Sequence, residues 1–139
     1  MARVLAVDFG RRRIGLAVCD ELQISVRGLP TLKVRNFNDS VAQVAQIAGD
    51  EAVGEVVIGL PLNMDGSCGE MARAVENFAS QLAVFCNMPV RTFDERLSSV
   101  GAKRELQAMQ TKKHKGAIDR LAAVLILETY LQYKGKSSS

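Results

Sequence analysis

The chain has 139 residues, of which 47% are hydrophobic and 24% charged, and a formal net charge of +3 at pH 7. This length and composition fit one globular domain with a buried core, and the mild positive charge permits a polyanionic partner without requiring one. The apolar stretch near the N-terminus is too short for a signal peptide, and no apolar run approaches the roughly 20 residues of a membrane span. Three scattered cysteines without C-x-x-C spacing are atypical of a disulfide framework or a zinc site. We therefore expect a soluble cytoplasmic domain with reduced thiols and no membrane partner.

The first third of the chain predicts three strands and then a helix. An apolar, β-branched run ends at Gly10, and the short link G-R-R-R indicates a hairpin to the next strand. Apolar residues then recur at helical spacing between Val41 and Ala48. The predicted strands cover residues 4–9, 14–19 and 24–34, and the helix N-cap is predicted among Asn38, Asp39 and Ser40.

The rest of the chain alternates strands with helices. The predicted strands cover residues 56–59 and 90–93, and the predicted helices cover residues 70–86, 99–109 and 119–133. The loop 60–67 carries a turn signature and is either structural or part of the substrate site. Residues 111–116, T-K-K-H-K-G, are predicted as a basic loop. The order indicates an α/β fold with a mixed sheet and helices on its faces, formed by a single domain over 1–134 with a disordered tail over 135–139.

Four carboxylates stand at positions where strands end or a helix is predicted to begin: Asp8, Asp94, Glu95 and Asp119. Functional groups gather at the carboxyl ends of parallel strands, and a carboxylate at the start of a helix interacts favourably with the helix dipole. Two such charges about 4 Å apart repel by about 4 kcal/mol at an effective dielectric constant near 20. A bound Mg²⁺ or Mn²⁺ reverses that repulsion, because both ions prefer oxygen ligands. One or two such ions can activate a water for attack on a phosphodiester.

Each carboxylate also has a structural explanation. Asp8 can be a paired residue at the end of a strand, and Asp119 can be a helix N-cap. Strand alternation sends Asp94 and Glu95 to opposite faces, so only one of the two is expected at a shared site. The spacing alone leaves the metal site and the structural interpretation open.

Four motifs in fixed order resemble the YqgF (RuvX) family over almost the whole chain, up to Tyr133. They are D-F-G with R-I-G-L-A-V, V-I-G-L-P-L-N-M-D-G, D-E-R-L-S, and D-R-L-A-A-V-L-I-L-E-T-Y-L. The family is described as Holliday junction resolvases and as nucleases acting on the 5′ end of pre-16S ribosomal RNA. The resemblance implies an RNase H-like fold, with a five-stranded mixed sheet of order 3-2-1-4-5 and helices on both faces. It also implies a catalytic, metal-binding site at Asp8, Glu95 and Asp119, and so favours Glu95 over Asp94.

Two basic clusters flank the acidic positions along the chain, at residues 11–13 and 112–115. Cations beside a metal site suit the phosphate backbone of a nucleic acid, although a solvated turn with no partner is the alternative. Arg96 either contacts phosphate or neutralises Asp94, and His114 is assigned no role. With only two tyrosines, both late in the chain, the sequence shows no aromatic platform for stacking bases. The predicted substrate-binding residues are Arg11, Arg12, Arg13, Arg96, Lys112, Lys113 and Lys115.

The function expected from these observations is a metal-dependent nuclease that acts on structured RNA or branched DNA. Junction cleavage would favour a symmetric dimer, and the sequence leaves monomer and homodimer open. One alternative is a nucleotide-binding fold, because D-F-G-x-x-x-x-G also resembles the phosphate loop of sugar kinases and actin. Those proteins enclose the nucleotide between two such domains, and this chain supplies one. A module that binds nucleic acid without cleaving it is the other alternative.

Overall fold

The computed structural model describes the backbone of residues 2–98 and 112–137, and the side chains of 2–98 and 117–135. The predicted helix at 99–109 lies outside the described residues. A single 3-10 turn, Glu95–Leu97, follows the last strand. In chain order the strands and helices are β1 (Val4–Asp8), β2 (Arg13–Cys19), β3 (Val26–Lys33), α1 (Phe37–Asp50), β4 (Glu55–Leu60), α2 (Glu70–Cys86), β5 (Val90–Asp94) and α3 (Lys112–Ser137).

The strands form one mixed sheet of order β3-β2-β1-β4-β5, which confirms the predicted order 3-2-1-4-5. β1 pairs with β2 and β2 with β3 in antiparallel fashion, whereas β1 pairs with β4 and β4 with β5 in parallel. In the register of this sheet Asp8 lies opposite Gly15, and Val7 lies beside Ile58. The central strand β1 therefore ends between β2 and β4, with Asp8 as its last residue.

Helices cover both faces of the sheet, as predicted, and strand alternation explains how. Leu5 and Val7 of β1 join the core beneath α1 and α2, whereas Val4 and Ala6 join the core beneath α3. β1 and β4 are buried along almost their whole length, as is typical of strands covered on both sides. Asp8 continues the series of Val4 and Ala6, and so belongs to the α3 face.

The start of α1 differs from the predicted N-cap at residues 38–40. The N-cap is Asn36, whose Oδ1 accepts a hydrogen bond from Asp39 N at 2.8 Å. The Asp39 carboxylate in turn accepts from Arg35 N at 2.9 Å. The predicted cap lies at least two residues too late, because the Asn36 side chain already accepts from a first-turn N–H one half-turn before residues 38–40.

The last helix also begins earlier than predicted. α3 starts at Lys112, so residues 112–116 of the predicted basic loop are helical and Asp119 lies within the helix instead of at its start. Lysine favours helices, and Gly116 costs only about 1 kcal/mol relative to alanine, so nothing in this segment forces a break. The helix-dipole argument for Asp119 was therefore wrong. α3 also continues to Ser137, past the start of the predicted tail. None of the helices described is long and apolar enough to span a membrane.

Candidate active site

The three carboxylates predicted to form the site are all buried, although each comes from a different element. Asp8 ends β1, Glu95 begins the turn after β5, and Asp119 lies in α3. Their exposed fractions are 3%, 5% and 6%. Burying a carboxylate costs several kcal/mol unless polar or charged groups compensate. A fold that buries three carboxylates therefore has to supply compensating polar or charged groups for them.

Asp119 is brought to Asp8 by the close approach of α3 to Gly15. A β-carbon on Gly15 would lie 2.0 Å from the Asp119 carbonyl oxygen, so the helix backbone rests directly on β2 at this point. Gly15 is also the residue opposite Asp8 in the antiparallel pair. The helix therefore carries Asp119 onto the strand that neighbours Asp8.

Glu95 is brought to the same end of the sheet by a second glycine, Gly59. Val7 pairs with Ile58, so Gly59 lies alongside Asp8 in the adjacent strand β4. A β-carbon on Gly59 would lie 2.6 Å from Glu95 Oε1 and 2.6 Å from Ile126 Cδ1 of α3. The Glu95 side chain therefore occupies the space above Gly59, on the face of the sheet that α3 covers.

The donor set at this end of the sheet suits a hard divalent cation. Three buried carboxylates belong to this end of the sheet. Gly59 leaves room for the Glu95 side chain, and Gly15 leaves room for the helix backbone at Asp119. Carboxylate oxygens are the ligands that Mg²⁺ and Mn²⁺ prefer. Among the described side chains, those of residues 2–98 and 117–135, no three of His, Cys, Asp or Glu are close enough together to form a metal-binding group. The chemistry of the residues fits a divalent ion, while their arrangement is not a formed coordination shell.

Asp94, which precedes Glu95 in the chain, is engaged in a local ion pair. Its carboxylate accepts hydrogen bonds from Arg96 Nη2 at 2.8 Å and from Arg96 Nε at 3.1 Å, and also from the Arg96 backbone N–H. The Arg96 guanidinium, against the opposing effect of desolvation, holds the pKa of the Asp94 carboxyl below its ordinary value. Of the two uses predicted for Arg96, the structure therefore shows the neutralisation of Asp94.

The arginines of residues 11–13 have different surroundings. Arg13 Nε donates to Asp119 Oδ2 at 3.0 Å, which places a cation directly on one of the three carboxylates. Arg11 pairs with Glu70 at 3.1 Å, and both side chains are largely exposed. Arg12 is exposed on the same hairpin. Arg13 therefore belongs to the candidate site, while Arg11 and Arg12 are on the surface next to it.

The second basic cluster is described only in part. Lys112, Lys113 and Lys115 belong to the first turns of α3, seven residues or fewer before Asp119. Their side chains, and that of His114, lie outside the described residues. Their contribution to substrate binding remains a prediction.

The loop 60–67 folds into a hydrogen-bonded turn, as its signature predicted. Gly66 adopts a φ of +87° and donates to the Asn63 carbonyl at 2.8 Å. The Asp65 carboxylate accepts from Ser67 N at 2.9 Å and from Ser67 Oγ at 2.6 Å. Arg96 Nη1 donates to the Met64 carbonyl at 3.3 Å, which ties the loop to the turn that carries Glu95.

Sequence reasoning did not assign roles to Gly15 and Gly59. Both stand inside strands, at the centre of R-I-G-L and V-I-G-L. A glycine within a strand often marks a close approach of another backbone or ligand. That signal was present in the sequence, although it does not say which side chain approaches.

Comparison with solved structures defines the class of this fold. The chain superposes on T. thermophilus RuvC, solved in complex with a Holliday junction substrate, with a TM-score of 0.59. The match covers 96% of this chain and 97% of RuvC at 17% sequence identity. Together with the sheet order, this confirms an RNase H-like fold of the RuvC type.

The sequence comparisons place the chain in a particular family within that class. The profile of the RuvX family, described as Holliday junction resolvase, matches residues 2–133, and the chain belongs to this family. A protein from Synechococcus sp. named "Putative pre-16S rRNA nuclease" is 45% identical over 129 residues, which cover 91% of this chain and 87% of that protein. A protein of the same name from Anaeromyxobacter dehalogenans is 43% identical over 131 residues, which cover 93% and 96%.

Proposed function

We propose that this chain is a metal-dependent nuclease that hydrolyses phosphodiester bonds at the 5′ end of pre-16S ribosomal RNA. The names of its relatives in Synechococcus and Anaeromyxobacter support this substrate. A ribosomal RNA precursor as substrate would place the protein in the cytoplasm, in ribosome biogenesis.

One observation carries the chemical part of the proposal: Asp8, Glu95 and Asp119 are buried at one end of the sheet, on the face that α3 covers. In the proposed site these residues hold Mg²⁺ or Mn²⁺. When bound, such an ion activates a water and stabilises the leaving oxygen of a phosphodiester. Carboxylates at one end of a sheet repel one another; Arg13 offsets the charge of Asp119, and a bound divalent cation would offset the remaining negative charge.

The surrounding residues hold the carboxylates in position and provide a surface for phosphate. Arg13 orients the Asp119 carboxylate through its hydrogen bond, and Gly59 leaves space for Glu95. Arg11 and Arg12 are exposed on the hairpin that begins just after Asp8, where they can contact a phosphate backbone. Such contacts are independent of sequence, so selectivity would come from the shape of the substrate.

The test is a cleavage panel with Mg²⁺ or Mn²⁺ and an EDTA control. It compares a pre-16S rRNA leader, a four-way DNA junction, an RNA duplex and single strands. The proposal expects metal-dependent cleavage of the leader at a defined position, faster than cleavage of the other substrates. Asp50→Asn is a suitable control variant, because Asp50 is exposed at the end of α1. Absence of metal-dependent cleavage on every substrate would refute the proposal.

Resolution of Holliday junctions is the second candidate function. The description of the RuvX family and the junction-bound RuvC structure favour it. Resolution needs two cuts at matched positions, so a symmetric dimer is expected for that activity. Paired cuts in the junction by a dimeric protein, with no cleavage of the leader, would favour this second function over the first.

A further inference from the structure

A groove lies at the opposite end of the sheet from the carboxylates, also on the α3 side. It has a volume of about 530 Å³, and we call it the aromatic groove. Its floor is at Glu55, the first residue of β4. Tyr130 is the lining residue of α3 nearest to Asp119, which it follows by eleven residues of helix, about 16 Å. The main lining residues of the groove are Glu55, Arg91, Phe93, Tyr130, Tyr133 and Lys134.

Three aromatic rings form one wall of the aromatic groove. Phe93 of β5 lies between the two tyrosines of α3, with ring centroids 5.8 Å from Tyr130 and 5.7 Å from Tyr133. Tyr133 is 43% exposed, so part of its ring is accessible to a ligand. Sequence reasoning found no aromatic platform, because the third ring comes from a strand far earlier in the chain.

Two cations stand beside these rings, and a buried carboxylate fixes both. Glu55 is 6% exposed and accepts a hydrogen bond from Lys134 Nζ at 2.7 Å and from Arg91 Nε at 3.0 Å. The Tyr130 hydroxyl donates to the same carboxylate. The Arg91 side chain nevertheless stays 63% exposed and that of Lys134 40%. Among the lining residues two positive charges face one negative charge, so the groove favours an anion.

We propose that the aromatic groove binds a single-stranded segment of the RNA substrate, away from the bond that is cleaved. A base would stack against the exposed part of Tyr133, and a neighbouring phosphate would contact Arg91 and Lys134. Aromatic rings combined with cations are the usual means of holding single strands, because every base has a face that can stack. An acidic peptide would use the cations without needing the rings, and an apolar protein surface would cover the exposed parts of Arg91 and Lys134 without supplying an anion.

The inference rests on the proposed nucleic-acid substrate but not on the cleavage chemistry, so it is tested by binding alone. The full chain is titrated into a fluorescein-labelled ten-residue oligouridylate in EDTA, and affinity is measured by fluorescence anisotropy at fixed salt. Tyr133→Ala should weaken binding by about 5- to 150-fold, the range expected for removal of one stacked base. Arg91→Ala should weaken it by up to about fivefold, the range expected for loss of an exposed ion pair with phosphate. Tyr133→Phe should bind like wild type, because the ring is kept.

Two exposed residues elsewhere give matched controls. Phe85 is 65% exposed on α2 and the Arg35 side chain is 86% exposed before α1, so Phe85→Ala and Arg35→Ala should change affinity less than twofold. A second readout comes from intrinsic fluorescence. The chain has two tyrosines and no tryptophan, so its emission arises in this groove and should change when the oligonucleotide binds.

The outcomes separate this inference from the proposed function. Unchanged affinity in both Tyr133→Ala and Arg91→Ala, with folding verified by circular dichroism, would overturn it. If those two variants instead abolished a dimer detected by sedimentation while keeping RNA affinity, the groove would be an interface between copies of this chain. If the wild-type protein cleaves no substrate but binds RNA in a way that depends on Tyr133 and Arg91, the inference about the groove is supported and the proposed nuclease function is refuted.

Discussion

The Oε1 atom of Glu95 lies 2.6 Å from the position that a β-carbon on Gly59 would occupy. Real β-carbons do not approach an oxygen so closely, so the Glu95 side chain and any side chain at residue 59 exclude each other. Gly59 also lies alongside Asp8, which places the space above it within the candidate site. The absence of a side chain at residue 59 is therefore a structural requirement for the position of Glu95.

We predict that Gly59→Ala displaces Glu95 and impairs cleavage. The added methyl group also meets Ile126 Cδ1 at 2.6 Å, so the free energy of unfolding should fall by about 1–3 kcal/mol. Cleavage at saturating metal should fall by roughly 100-fold, because a displacement of about 1 Å in a catalytic group has an effect of this order. Single-turnover cleavage and urea unfolding measure the two effects.

Gly49→Ala is the control for this substitution. Gly49 lies in α1, and a β-carbon there would have no neighbour within 4 Å. This variant should cleave at the wild-type rate and gain up to about 1 kcal/mol of stability, since alanine favours a helix over glycine. Equal activities of Gly59→Ala and Gly49→Ala would show that the position of Glu95 is unimportant for cleavage.

The second prediction separates the two adjacent carboxylates after β5. Glu95→Gln should abolish cleavage, whereas Asp94→Asn should retain most of it and have lower stability, because Asp94 only holds Arg96 and caps the turn. Both variants are assayed at saturating Mn²⁺ together with their thermal unfolding. If Asp94→Asn is inactive and Glu95→Gln is active, the roles of the two residues are reversed and Asp94 is the metal ligand.

The family resemblance of four motifs was sufficient for the sheet order, and it selected Asp8, Glu95 and Asp119, which the structure shows to be buried. The sequence was insufficient where a contact between distant residues decides the outcome. The roles of Gly15 and Gly59 depend on which side chain crosses them. The start of α3 at Lys112 was missed because a run of basic residues suggests a loop, although lysine favours a helix.

The third prediction concerns the acid sensitivity of the fold. Burial disfavours the charged form of Glu55, but the hydrogen bonds from Lys134, Tyr130 and Arg91 outweigh this effect and hold the pKa of Glu55 below its ordinary value of 4.5. The stabilisation is therefore complete above about pH 4.5 and disappears as the pH falls through the lowered pKa. Glu55→Gln should lower the free energy of unfolding at pH 7 by about 1–3 kcal/mol.

The measurement is urea unfolding of wild type and Glu55→Gln between about pH 3 and pH 7. The difference in stability between the two proteins should be constant near neutral pH and shrink below pH 4.5, because the wild-type carboxylate becomes protonated. A difference that is independent of pH over this range would contradict the assigned role of the carboxylate charge.

The fourth prediction concerns the basic start of α3. Replacing Lys112, Lys113 and Lys115 together with glutamine should weaken nucleic-acid binding about equally for all sequences. The slope of log affinity against log salt should become shallower by up to about 0.7–0.9 for each phosphate that is no longer neutralised. Titration of a labelled pre-16S rRNA leader at several salt concentrations measures this slope. An unchanged slope would remove these lysines from the binding surface and leave Arg11, Arg12 and Arg13 as the candidates.

Asp8 is the central residue of the proposed metal site, and cleavage by purified Asp8→Asn is the most direct test of that site. The variant should fold like wild type, as judged by circular dichroism, and show no cleavage of any substrate that wild type cleaves. Mg²⁺ should raise the melting temperature of wild type, through preferential binding to the folded state, and raise that of Asp8→Asn much less. Wild-type cleavage by Asp8→Asn would contradict the proposal that this carboxylate holds the catalytic metal.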